Sequence, residues 1–149
     1  MGCSSLRKSC KDKSCQRYYN ISAQPFAADE TIQLAIAGAR VVDSGVAIET
    51  EPMSYNITKT GLYHISADVI VDVTTLGSAV FNAYLDGVPL PCMTRAIRLP
   101  VGYNEIHAET DLSFSHCCPC INKTITFTIT SEDAVGTVTQ FCTGVLKLA

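Results

Sequence analysis

The sequence predicts an all-β fold, an antiparallel sandwich of about eight to ten strands behind an extended N-terminal arm. Three observations carry that expectation. Val, Ile and Thr make up 39 of the 149 residues, and their branched side chains are stiff in a way that suits a pleated surface. Apolar and polar residues alternate over long stretches. Turn signals recur at short intervals, and no amphipathic helical pattern separates them. The length and the 47% hydrophobic content describe one compact domain with a core of its own. Roughly 18 consecutive apolar residues would be needed for a membrane-crossing helix, and no run approaches that.

In chain order, residues 1–24 are rich in Cys, Lys and Ser, lack alternation, and read as an arm; residues 25–149 read as the domain. Thr31 to Ile36 forms the first expected strand. Gly45 to Ile48 and Met53 to Ile57 form two short ones. The strongest signal follows, in Tyr63, Ile65, Ala67, Val69, Val71 and Val73, with His64, Ser66, Asp68 and Asp72 between them. Ala79, Phe81, Ala83 and Leu85 repeat the device and stop at Asp86-Gly87, a hairpin dipeptide because Gly tolerates positive φ. Ile106 and Ala108, then Leu112 and Phe114, alternate against His107, Glu109, Asp111 and Ser113. Ile121 to Ile129 faces a stripe of Thr124, Thr126, Thr128 and Thr130, read as a solvated sheet face. Val138 to Leu148 closes the chain. Short connections require antiparallel pairing, and the spacing suits a jelly roll.

Charge divides the chain. Residues 1–17 carry Arg7, Lys8, Lys11, Lys13 and Arg17 against Asp12, a net of +4, so the remainder carries −7 of the total −3. An acidic body excludes nucleic-acid binding by the domain, since phosphate contacts need a positive face. The basic arm suits an acidic neighbour. Residues 1–24 contain no apolar run of a secretion signal, so the expectation is synthesis in a cytoplasm with no membrane association.

Eight cysteines need an explanation in that setting. Cys3, Cys10 and Cys15 lie in the arm, Cys92 and Cys142 are isolated, and Cys117, Cys118 and Cys120 cluster after His116. Three readings stay open. His116, Cys118 and Cys120 offer soft ligands for Zn²⁺. Cys3, Cys10, Cys15, Cys117, Cys118 and Cys120 are candidates for anchoring or crosslinking once exposed to oxidising surroundings. Buried thiols also serve as small hydrophobes. Glu105, Glu109 and Asp111 form either a Ca²⁺-lining loop or an exposed acidic face. His64 and His107 sit among acids on polar strand faces and read as solvated or salt-bridged. Without a nucleophile elbow, a metalloprotease motif or a phosphate loop, no enzyme is expected.

The segment Tyr55-Asn56-Ile57-Thr58-Lys59-Thr60-Gly61-Leu62-Tyr63-His64-Ile65 resembles the strand, Gly-x-Tyr, strand signature of the C1q and TNF-like trimeric jelly rolls. Phe141-Cys142-Thr143-Gly144-Val145-Leu146 is similar to their closing strand, and Asp86-Gly87 stands where they carry a hairpin. A Cys-rich element before a Thr-rich strand also resembles small phage- and bacterium-encoded jelly rolls. The resemblance implies a homotrimer, with Tyr63, Phe81, Tyr84, Phe127 and Phe141 as candidates for its interface.

The functional expectation is a non-enzymatic structural protein. In the leading reading it is a trimeric capsid decoration or head-fibre protein on a tailed bacteriophage virion, anchored to neighbouring subunits by its arm. Loops around residues 86–104 and 130–137 would then meet host surface glycans. One alternative is a disulfide-crosslinked fibre subunit of an endospore surface or appendage; another is a soluble trimeric module binding glycan or metal. No cofactor is expected in the leading reading, Zn²⁺ or Ca²⁺ in the last.

Overall fold

A computed structural model describes residues 14–36, 39–115 and 120–149, with 39–44 described through their backbone alone. The strands are β1 (Cys15–Asn20), β2 (Gln24–Phe26), β3 (Thr31–Gln33), β4 (Ala39–Ser44), β5 (Ile48–Thr50), β6 (Tyr55–Lys59) and β7 (Gly61–Thr75). They continue with β8 (Gly77–Leu85), β9 (Val88–Pro89), β10 (Arg95–Leu99), β11 (Gly102–Phe114), β12 (Cys120–Ser131) and β13 (Val135–Lys147). One sheet runs β11-β7-β13-β1-β4 with β2 added to β13; the other runs β10-β8-β12-β6-β5 with β3 on β12 and β9 on β8. Pairing is antiparallel throughout the described strands. No described helix is long and apolar enough to cross a membrane.

The alternating runs do what their pattern predicts. Tyr63, Ile65, Ala67, Val69, Val71 and Val73 of β7 are all at most 1% exposed, and from the facing sheet Ile125, Phe127 and Ile129 of β12 are fully buried. Phe127 is the hub: its ring stands edge-on to Phe141 at 5.2 Å and to Tyr55 at 6.4 Å, and stacks on Phe81 at 6.2 Å. Because β13 carries Phe141 and β12 carries Phe127, this cluster ties the two sheets together across the core. The Thr stripe of β12 points the other way, with Thr130 hydrogen-bonded to Thr31 at 2.9 Å and Thr124 donating to Asn56 at 2.9 Å. Asp86 and Gly87 both adopt positive φ, 50° and 82°, between the paired Leu85 and Val88. That is the primed turn whose twist matches a hairpin.

Four expectations change. First, the arm is shorter than residues 1–24: β1 lies inside a sheet, between β13 and β4. Its lack of alternation arises because its polar residues are themselves buried, Gln16 at 3%, Arg17 at 4% and Asn20 at 6% exposure, and each is hydrogen-bonded, Arg17 through its two Nη atoms only. Thr50 donates to Gln16 at 2.9 Å, Asn20 donates to the Ala35 carbonyl at 3.1 Å, and Ser22 N–H donates back to Asn20 at 2.9 Å. Second, residues 86–104 are not a plain loop, since they hold β9, a 3-10 turn at Pro91–Met93 and β10. Third, the two short alternating runs after residue 102 are one 13-residue strand, β11. Fourth, the expected first strand ends at Gln33, and Leu34 and Ile36 are buried core residues beyond it.

Candidate interaction face

Side chains alternate across a strand, so the residues between the core positions of β7 point away from the core. The register then sets them in rows across the outward face of the first sheet. His107, Asp68, Cys142 and Tyr19 form one row from β11 through β7 and β13 to β1. Glu109, Ser66, Gly144 and Arg17 form the next, and Asp111, His64, Leu146 and Cys15 the third.

Gly144 explains the middle row. With no side chain there, Arg17 reaches across β13, its Nη1 donating to Ser66 Oγ at 3.0 Å and its Nη2 to Cys142 Sγ at 3.6 Å. The guanidinium Nε is buried without a hydrogen-bond partner, and burial lowers the group's pKa. Arg17 and Ser66 form one wall of a cavity of about 300 Å³ whose other lining residues are Asp68, Glu105, His107 and Glu109.

Both imidazoles are held across strands by directly opposed acids. His64 Nδ1 lies 2.7 Å from Asp111 Oδ1, and His107 Nδ1 lies 2.5 Å from Asp68 Oδ1. The remaining ring nitrogens flank Glu109, with Oε2 3.7 Å from His64 Nε2 and 3.4 Å from His107 Nε2. The result is a continuous chain Asp68, His107, Glu109, His64, Asp111 along β7 and β11. Such a face offers fixed acceptors to a cationic partner and, beside them, one donor in need of an acceptor. Glu109 and Asp111, read from sequence as Ca²⁺ candidates, are engaged by imidazoles, and among the described residues no three His, Cys, Asp or Glu side chains are grouped to hold a metal ion.

The residues singled out from sequence are placed as follows. Tyr63, Phe81, Phe127 and Phe141 are at most 1% exposed inside one subunit, so their surface is consumed by the subunit's own core. Tyr84 on β8 is half-buried, its hydroxyl 3.4 Å from Thr128 Oγ1. Cys15 is buried beside Leu146. Cys120 is an exposed free cysteine 3.6 Å from Lys59 Nζ, and Cys92 is also exposed and free. Cys3, Cys10, His116, Cys117 and Cys118 lie outside the described residues. Arg17, Ser66 and Gly144 were not singled out. Gly144 carried the available signal, because a Gly within a strand pattern often marks a close approach by another group.

No protein-family model and no curated protein matches the chain. Solved structures do. Murine APRIL at pH 5.0 superposes with a TM-score of 0.64 at 17% identity, covering 92% of this chain and all of that one. The same protein at pH 8.0 gives 0.59 at 18% identity, again over 92% of this chain. PRD1 vertex protein P5 gives 0.59 at 12% identity, over 92% of this chain and 98% of that one. The fold is a jelly roll shared with these structures. A jelly roll hosts unrelated functions, and its function has to be argued from the surface it displays.

Proposed function

We propose that this chain is a non-enzymatic structural subunit of a large assembly, a trimeric jelly-roll decoration or head-fibre protein of a tailed phage virion, fastened through its basic leader. The observation that carries the reading is the shared fold with a phage vertex protein over 92% of the chain. The charge asymmetry agrees with it: a leader with Arg7, Lys8, Lys11 and Lys13 suits an acidic capsid surface, while an acidic body projects from it. Three leaders on one trimer would multiply a weak contact. At the end of the second sheet where β10 passes into β11, Val101 and Tyr103 are 63% and 74% exposed, and a glycan-bearing host surface is the partner proposed for them. Two measurements test the reading. Light scattering on the purified chain is expected to give three times the 16.0 kDa subunit mass, and labelled antibody on source particles is expected to decorate capsids. A monomer in solution, or label on filaments, would overturn it.

A disulfide-crosslinked fibre subunit is the second reading, favoured by the exposed free thiols of Cys92 and Cys120. Gels of native material run with and without reductant separate the two, because a covalent ladder belongs to the fibre alone.

A further inference from the structure

We propose that the concavity where β6 and β13 finish binds a short aliphatic monocarboxylate, with Lys59 and Lys147 taking the carboxylate. The cavity has a volume of about 340 Å³, and among the described residues its lining includes Lys59, Lys147, Val46, Ala47 and Leu148.

Charge sets this spot apart. Residues 14–149 carry seven Lys and Arg against thirteen Asp and Glu, a net of −6. Elsewhere on that body the cations have partners: Lys123 lies 3.4 Å from Asp86, Arg17 donates to Ser66, and Arg95 donates to the carbonyls of Cys92, Thr94 and His107. Neither Lys59 nor Lys147 is paired with an acid among the described residues. Lys59 Nζ donates to the Cys120 thiol at 3.6 Å, a weak acceptor. Gly61 lets the two ammoniums converge. A Cβ at that position would lie 3.0 Å from both Cε and Nζ of Lys147, so only glycine leaves room for this side chain at the start of β7, two residues from Lys59. The Ala149 main chain closes that side, its carbonyl accepting from the Leu62 N–H at 3.0 Å. With a carboxylate charge counted at Ala149, the two ammoniums still leave an excess of one.

The rest of the lining selects the other end of the ligand. Val46 follows Gly45, which has φ +81°, and is 78% exposed, an apolar side chain that the core does not use. Ala47 and Leu148 share the wall with it. An inorganic anion satisfies the ammoniums and leaves this apolar surface wet, whereas an aliphatic tail covers it. Ion pairs open to water contribute little, so the tail carries the discrimination: each methylene taken out of water is worth about fourfold in affinity. The site is independent of the assembly role proposed above.

The test titrates the full chain, labelled with nitrogen-15, with acetate, butanoate, hexanoate and inorganic phosphate at low salt and constant pH, following amide shifts. Hexanoate is expected to move the amides of Val46, Ala47, Lys147 and Leu148 and to bind about fifteenfold more tightly than butanoate, two methylenes shorter. Lys59→Gln with Lys147→Gln is expected to weaken hexanoate about tenfold, and Val46→Ser to narrow the gap between hexanoate and butanoate. An acetylated dipeptide ending in leucine carries the same carboxylate on a peptide and is expected to bind less tightly, because its amides would lose water against Val46 and Leu148. Equal affinity for acetate, phosphate and hexanoate would overturn the proposal, and the wild type alone decides that. Shifts confined to another part of the molecule, or unchanged affinity in the double lysine variant, would do the same. So would tighter binding of the dipeptide, which gives the site to a protein partner.

Discussion

Two buried tyrosines show how one hydroxyl is stabilising and another is not. Tyr63 donates to the Lys59 carbonyl at 2.7 Å, whereas the Tyr55 hydroxyl is buried and makes no well-formed hydrogen bond, interacting only weakly with Thr143. Removing a made bond costs about 1 kcal/mol, and removing a buried polar atom without a well-formed one costs little and relieves a desolvation penalty. Tyr63→Phe is therefore expected to lower the urea midpoint, and Tyr55→Phe to leave it unchanged or raise it. Phe127 is different in kind, since three rings lean on it. Phe127→Ala should cost about 3–5 kcal/mol, read from the same urea curves. Sequence periodicity placed Tyr63 and Phe127 on apolar strand faces but left open whether each meets its own core or a neighbour, and it did not single out Tyr55. Alternation reports which face a side chain takes, and says nothing of how deep that face lies or which residues, like Arg17, are drawn over it.

Strands were legible where one face is buried and the other is wet. β7, β8 and β12 meet that condition and were read nearly to their ends. β1 does not, because Gln16 and Arg17 are both buried, so polarity carries no message about direction. β10 was missed for the opposite reason: on the sheet edge only Leu99 is buried, too little to impose a pattern. Yet β1 is structurally central, all six of its residues paired with β13 on one side and five of them with β4 on the other. A chain shortened to begin at Ser14 is expected to keep its cooperative melting transition. One shortened to begin at Ile21 is expected to lose it and aggregate, because β13 then exposes an unpaired edge. Turns set a similar test. Gly87 has φ +82° and open space around it, so Gly87→Ala pays only the left-handed strain of about 1–2 kcal/mol. At Gly77 an added Cβ would lie 2.4 Å from the Ala134 nitrogen, and the backbone of the β12–β13 turn must move. Gly77→Ala should therefore be the more destabilising of the two in a side-by-side thermal melt.

At the scale of the whole molecule, the two sheets shut the same tyrosines away from water, and this sets an alkaline limit on stability. Burial pushes the Tyr63 phenol up to about 12 and raises Tyr55 as well, while an unfolded tyrosine ionises near 10. Below about pH 10 both states keep these protons and the pair makes stability no steeper in pH. Above it the unfolded chain gives up protons that the folded chain retains, so the unfolded state gains and stability falls with each further rise. The contribution is fully present below the unfolded value and is lost as pH climbs through the folded one. Because Tyr55 and Phe127 bridge toward Phe141 in the opposite sheet, ionising the ring at the end of that cluster opens the sandwich rather than a loop. Melting temperatures measured from pH 8 to 11 are expected to be level at first and then to drop for the wild type. A Tyr55→Phe, Tyr63→Phe double variant should drop more shallowly over the upper part of that range. Parallel curves for the two proteins would place the alkaline transition outside the core and remove these phenols as its cause.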